Sequence, residues 1–353
     1  MYKHFYQKCL LSIMIIGVTI NHAFPLHSVA EEQKGAENDS LGSAGFQEAM
    51  VQTTSSIFAM DSYAKLILDQ QETDLHKINS IHGDVRRDII QHQRDAKMNA
   101  TNWIHQMKPQ IMKVDQKIID FHTIFQAQYN SMLLVVDQKD RDTLKANLET
   151  LYTNILRNQK EVDALLEELK AFRERMVKDT TRFKNDADQL TTILASTNAG
   201  IPALEQQIQT YNDSIKKSND MVIAGGVLCV TLLTCLAGGP MIAVAKKDIA
   251  NAEREIANVK AKISGVQAEI AILTDVKNKT INMTETIDAA ITALQNISNQ
   301  WYIVGAKYNN LLQNVKGISP EEFHFIKEDL NVAKDSWRDV KTYTEKLHES
   351  IKK

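Results

Sequence analysis

The chain has 353 residues, with 41 basic and 44 acidic side chains, and its formal charge of −3 gives no basic footprint for nucleic acid. Only 13 Gly and 5 Pro interrupt it, and 3 Cys are too few for a disulfide framework. A small disulfide-stapled fold is excluded, and a composition of long helices with few turns remains.

Lys3 and Lys8, the apolar run CLLSIMIIGVTI (residues 9–20) and Ser28-Val29-Ala30 read as a secretory signal peptide over residues 1–30, cut after Ala30. Its removal takes away Lys3 and Lys8 and moves the formal charge from −3 to −5. Residues 31–43, EEQKGAENDSLGS, read as a flexible leader. A first helix is expected over 44–82, with Met50, Ile57, Met60, Ala64, Ile67 and Ile78 inward and a turn at Gly83. Met107, Ile111, Val114, Ile118, Phe121, Phe125, Met132 and Val135 form the next seam. Pro109 either begins that helix or kinks it, and Asp137-Gln138-Lys139-Asp140 ends it in a turn.

From Leu144 through Leu148, Leu151, Ile155, Val162, Leu165, Leu169, Phe172, Met176 and Phe183 to Leu190, steps of three and four continue, with Asn158 as a polar member. Asn198 to Pro202 interrupt the pattern, and helix resumes through Leu204, Ile208, Tyr211 and Ile215. A second long seam runs through Ile249, Ala252, Ile256, Val259, Ile263, Val266, Ile270 and Leu273. It weakens at Lys277, Thr280 and Thr284, and resumes in phase at Ile287, Ile291, Leu294, Ser298 and Trp301. One helix over 246–316 would be about 105 Å long. Lys316 to Pro320 read as a stop and restart, with a last helix over 320–350.

Between the seams lies MVIAGGVLCVTLLTCLAGGPMIAVA, residues 221–245, without a single charge. Lys216 and Lys217 precede it, and Lys246 and Lys247 follow. Gly225-Gly226 and Gly238-Gly239 are symmetric about Leu232, and Pro240 follows the second pair. Basic charge at both ends gives no positive-inside asymmetry. The pattern reads as a hairpin that lets the two seams run antiparallel. Its membrane-facing candidates are Val222, Ile223, Val227, Leu228, Val230, Leu232, Leu233, Leu236, Met241, Ile242 and Val244. Gly225, Gly226, Gly238, Gly239 and Pro240 are its hinge or turn candidates, and the four lysines flank it. Arms of about ten residues are short and read as strand-like in the soluble form; as helices each would reach about 15 Å, half the hydrocarbon core, and would have to recruit residues from its flanking helix to cross. A switchable membrane hairpin, a permanent span and a buried core hairpin all fit this text. Cys229 and Cys235 lie within it, and read either as two free apolar residues or as a cross-linked pair.

The expected fold is all-α: an elongated bundle of about five helices, two of them very long, with an apolar hairpin between the long seams. Residues 44–220 and 246–353 are its two helical parts, and 221–245 is the hairpin or head. No His-Glu-x-x-His, P-loop or dinucleotide fingerprint occurs. Glu321/His324 and Glu345/His348 have di-iron spacing but lie about 36 Å apart on one helix, so they cannot share a dinuclear site. The sequence therefore points away from an enzyme, a cofactor or a metal.

The whole chain resembles the tripartite enterotoxins of the Bacillus cereus group, haemolysin BL and the non-haemolytic enterotoxin, and is read as nearest to component C of the latter. FQEAMVQTTSSIFAMDSYAKLI (46–67), MKPQIMK (107–113), ILASTNAGIPALEQQI (193–208), TYNDSIKKSNDMVIAGGVLCV (210–230), LAGGPMIAVAKKDIANAEREIA (236–257) and GISPEEF (317–323) carry the likeness. The resemblance implies a cytolysin A-like α-pore-forming toxin whose hydrophobic tongue, matched by residues 221–245, enters membrane during assembly. It also implies secretion, two partner components, above all one like component B, a hetero-oligomer on the host cell membrane, and lysis. A non-lytic extracellular helical adhesin, scaffold or assembly adaptor is the alternative, since the same heptads would serve it.

Overall fold

The computed structural model describes residues 41, 45–72, 81–194, 201–228, 239–263 and 266–352. They form α1 (Phe46–Leu68), α2 (Gly83–Asn102), a π-helical turn (Trp103–Met107), α3 (Lys108–Gln138), α4 (Arg141–Leu194), α5 (Ile201–Leu228), α6 (Gly239–Ala261), α7 (Val266–Asn314), a 3₁₀ turn (Val315–Gly317) and α8 (Phe323–Lys352). The molecule is an all-α elongated bundle. Its longest rods are α4, with 54 residues, and α7, with 49. At the standard helical rise, α4 spans about 80 Å.

Eight α-helices occupy the described residues, against about five expected, and the difference lies in specific breaks. The first expected helix, 44–82, ends at Leu68, and Gly83 begins α2 rather than ending a helix. The expected rod over 246–316 is broken: α6 ends at Ala261, Lys262 donates to the Val259 carbonyl at 3.1 Å, and α7 starts at Val266. Leu41, within the expected flexible leader, is only 4% exposed and belongs to the core. The signal-peptide residues, 1–30, lie outside the described residues.

Other boundaries have direct causes. Pro109 sits at the start of α3, and the wider π turn just before it accommodates the missing donor and the ring, so the helix continues from α2 into α3. Within that turn the buried Trp103 donates from Nε1 to Asp61 at 2.9 Å. At the turn after α3, Lys139 adopts φ 58°, and Asp140 accepts from the backbone N–H groups of Asp142 and Thr143, both at 3.1 Å. Those bonds, with that of the Thr143 hydroxyl foremost, hold the Asp140 carboxyl below the usual range. Ahead of α8, at Ser319-Pro320-Glu321-Glu322, the Ser319 N–H donates to Glu322 Oε2 at 2.6 Å, the return half of a capping box, and the Glu322 N–H donates to the Ser319 carbonyl at 3.1 Å. Replacing Glu322→Ala is expected to cost about 1 kcal/mol. A lower urea midpoint with an unchanged denaturant slope is the expected result.

The core forms where α4 and α7 run antiparallel, with α1 packed on α7, α3 on α4, and α8 on α3 and α1. Arg173 pairs with Asp288, and Ser298 donates to Asp163 at 2.5 Å, which fixes the register. A Cβ on Gly305 would meet Ile155 Cγ2 at 3.2 Å, so glycine permits the close approach of these rods. α1 is buried on more than one face, because α2, α5, α7 and α8 all contact it. Four fully buried rings, Phe46, Phe121, Trp301 and Trp337, tie α1, α3, α7 and α8 together, with centroids 4.6–6.0 Å apart. By contrast α2 meets α4 through polar groups. His92 bonds Asp186 at 2.8 Å, Arg182 pairs with Asp95 at 2.8 Å, and Asn99 donates to Asp179 at 2.5 Å. Burial pushes the Asp179 and Asp186 carboxyls up.

Candidate membrane-active site

The uncharged stretch grows out of two helices. α5 passes through Gly225 and Gly226 to Leu228, and α6 begins at Gly239 with Pro240 in its first turn, where proline needs no donor. In these parts the arms are helical, not strand-like as the sequence suggested. α5 and α6 pack against each other, as a hairpin requires, and residues 229–238 between them lie outside the described residues. Val222 and Ala245, at the base of the two arms, are buried, Ile223 is half-buried, and Val244 is 53% exposed. Val227, Leu228, Met241 and Ile242 lie on the two helices. Val230, Leu232, Leu233, Leu236, Gly238, Cys229 and Cys235 lie outside the described residues. No helix among the described residues is long and apolar enough to cross a membrane.

The flanking lysines differ in their surroundings. Lys216 bridges Asp220 at 2.8 Å and Glu285 of α7 at 3.3 Å, and the Asp220 bond raises its pKa. Lys246 lies 5.6 Å from the Phe58 ring centroid, over α1. Lys217 and Lys247 are exposed. The hairpin is thus laid along the flank of the bundle, against α1 and α7.

Behind it sits a group of charges that heptad reasoning missed. Asp275 and Lys279 on α7 are completely buried and 2.9 Å apart. Lys260 of α6 reaches Asp275 at 2.7 Å, and Glu253 of α6 reaches Lys279 at 2.8 Å. Asn212 of α5 donates to Asp275 at 2.9 Å, and Gln70, just after α1, at 2.8 Å. Burial would raise the Asp275 carboxyl, but Lys279, Lys260 and the Asn212 amide hold it below the ordinary range. The a/d seam assigned inward places to Lys277 and Thr280 and left Asp275 and Lys279 for solvent. α7 is enclosed on several sides, so the narrow seam underestimates its buried surface. The i,i+4 spacing of Asp275 and Lys279 was the available sequence signal.

The groups considered for a metal do not converge. His324 is exposed and pairs with Glu328 at 3.2 Å, while Glu321 is exposed at the turn before α8. Among the described residues no group of three His, Cys, Asp or Glu side chains could hold a metal ion.

Long antiparallel rods with a pair of helices, α5 and α6, packed on their flank make an all-α elongated bundle related to the cytolysin A-like α-pore-forming toxins. Residues 40–218 match the Bacillus haemolytic enterotoxin (HBL) family, and the chain belongs to that family. The HblL1 toxin component of Bacillus cereus is similar in structure, with a TM-score of 0.78 at 29% identity over 88% of this chain and 98% of that one. Soluble SmhA, of the tripartite α-pore-forming toxin Smh from Serratia marcescens, shares the fold: TM-score 0.70, 15% identity, 87% of this chain and 94% of SmhA. A Bacillus cereus protein described as an uncharacterized protein in the hblA 3′ region is 26% identical over 152 residues, 41% of this chain and 96% of that protein. These likenesses correct the nearest relationship drawn from sequence: the kinship is to the HBL components and HblL1, not to component C of the non-haemolytic enterotoxin. As a member of this toxin family, the chain is not an enzyme.

Proposed function

We propose that this secreted component of a multi-part pore-forming toxin carries its membrane-active element in residues 221–245. Partner components of the same toxin and the host membrane are its binding partners. Residues 1–30 direct its export and are removed after Ala30. Residues 44–220 and 246–353 form the helical body that carries the hairpin. In the soluble form the hairpin is stored against α1 and α7, and in the assembled form its tip faces lipid. The observation that carries this reading is the pairing of α5 with α6 at the base of an uncharged stretch that both helices enter. The described arms are too short to span alone, so crossing recruits residues from both helices. Lysines at both bases then approach the same side of the membrane together, where their long side chains can snorkel to the interface.

Environment-sensitive labels at Val230 and Leu233, with a control at the buried Ile287 of α7, test this. With target membrane and partner components, both tip labels are expected to become accessible to a lipid quencher while Ile287 stays protected. Lysis with both tip labels still inaccessible would assign membrane crossing to a partner and leave this chain as an assembly adaptor.

A further inference from the structure

We infer that Asp275, Lys279, Lys260, Glu253, Asn212 and Gln70 form a polar latch that holds the α5–α6 hairpin on the bundle and opens when the hairpin is released. This inference rests on the proposed hairpin release, but the closure of the latch is a property of the soluble protein alone.

The first support is where the hairpin is attached. α6 packs mainly on α5 and touches α7 at few positions. Its close ties to α7 include two charge pairs, Lys260–Asp275 at 2.7 Å and Glu253–Lys279 at 2.8 Å. The neighbouring apolar contact is small: Leu204 and Ile208 of α5, Val259 of α6 and Ala271 of α7 make a cluster separate from the main core. The second support is convergence. One carboxylate, Asp275, receives bonds from α5, α6, α7 and the segment after α1. Lys260 also donates to Gln70 Oε1 at 3.0 Å, closing the ring of contacts. Moving α6 away breaks several of these bonds together.

The third support is the chemistry chosen. A buried ion pair gives little net stability compared with well-packed apolar residues, yet its partners are specific in geometry. Such a contact closes in one register, and once opened its charges gain water. An apolar contact at the same place would lose that compensation on opening. α6 ends at Ala261, one residue after Lys260, so α6 and α7 are separate helices and the latch ties the end of one to the flank of the other.

Hydrogen exchange on the full-length soluble protein tests the latch without membrane or partners. Lys260→Met removes the α6 side of the Asp275 pair at a site that is still partly exposed. It is expected to speed exchange in α6 roughly tenfold while leaving α4 and the 283–312 part of α7 unchanged. An equal rise in α4 would show a general clamp on the bundle and overturn the latch. So would unchanged exchange in α6. The triple change Lys260→Met, Asp275→Leu, Lys279→Met replaces the charges with apolar contact. It is expected to retain the fold, slow α6 exchange and delay lysis in the presence of partner components. Slowed α6 exchange with lysis at the wild-type rate would also overturn the proposal. If the triple variant does not fold, the single variant decides by its exchange pattern. Failure of the tip labels at Val230 and Leu233 to reach lipid is the separate failure of the membrane reading.

Discussion

Leu232→Asp is expected to abolish or nearly abolish lysis while leaving the soluble bundle folded and able to bind its partners. Leu232 lies near the middle of an uncharged stretch, equidistant from the two glycine pairs. A carboxylate carried into hydrocarbon costs up to roughly 2.5–3.5 kcal/mol on insertion scales, which is about a hundredfold in the insertion equilibrium of one chain. A pore needs several chains to insert together, so the penalty multiplies across the assembly. Circular dichroism and pull-down with partner components separate this effect from misfolding. Lysis at the wild-type rate by a folded, partner-competent variant would remove the hairpin from the mechanism. Leu232→Ile is the matched control, expected to remain lytic because it keeps the apolar volume.

Much of the fold was legible in the sequence because helices announce themselves by period. Ile249 through Trp301 hold one phase, and the described members from Ile270 to Leu273 and from Ile287 to Trp301 are buried in α7. The turn at 137–140 was legible from local chemistry, while Asn198 to Gly200, before Pro202, lie outside the described residues. The break after Ala261 was not legible, because the apolar phase runs straight through it. Periodicity reports which face is inward, and that phase continues through a sequence whose two helices lie side by side, as the Glu253–Lys279 and Lys260–Asp275 pairs show. The signal lay instead in Ser264-Gly265, a local pair that heptad counting passes over.

The hairpin region was legible as a place and less so as a structure. Its missing charges and flanking lysines were plain, but arm length alone suggested strands, whereas α5 and α6 extend into it from both sides. Helix propagation is cheaper than a new start, so arms continuous with long helices stay helical despite Gly225 and Gly226. The latch was hidden for a different reason. Heptad reasoning treats a rod as having one buried stripe, whereas α7 contacts α1, α4, α5 and α6. Asp275 and Lys279 then find themselves inside, and each meets an opposite charge.

Trp301→Ala is expected to destabilise the bundle by about 3–5 kcal/mol, as deletion of a large buried aromatic side chain does. Trp301 is fully buried on α7. Its ring meets Phe46 edge-on at 4.8 Å and Phe121 at 5.4 Å, and stacks on Trp337 at 6.0 Å. Truncation to a methyl leaves three rings from α1, α3 and α8 facing a void. They sit on separate helices, so no single side-chain shift can fill it. Geometry adds to the loss, since edge-to-face and stacked pairs contribute roughly 0.5–1.5 kcal/mol each beyond buried area. The expected readout is a lower urea midpoint and melting temperature. Trp301→Phe keeps an aromatic partner and is expected to lose less than half as much. The damage is expected to spread along the bundle, because the cluster joins four helices. Hydrogen exchange should rise in α1, α3, α7 and α8 together, unlike the local response expected for Lys260→Met in α6. A loss below 1 kcal/mol would mean that the four rings are not the point at which these helices are held together.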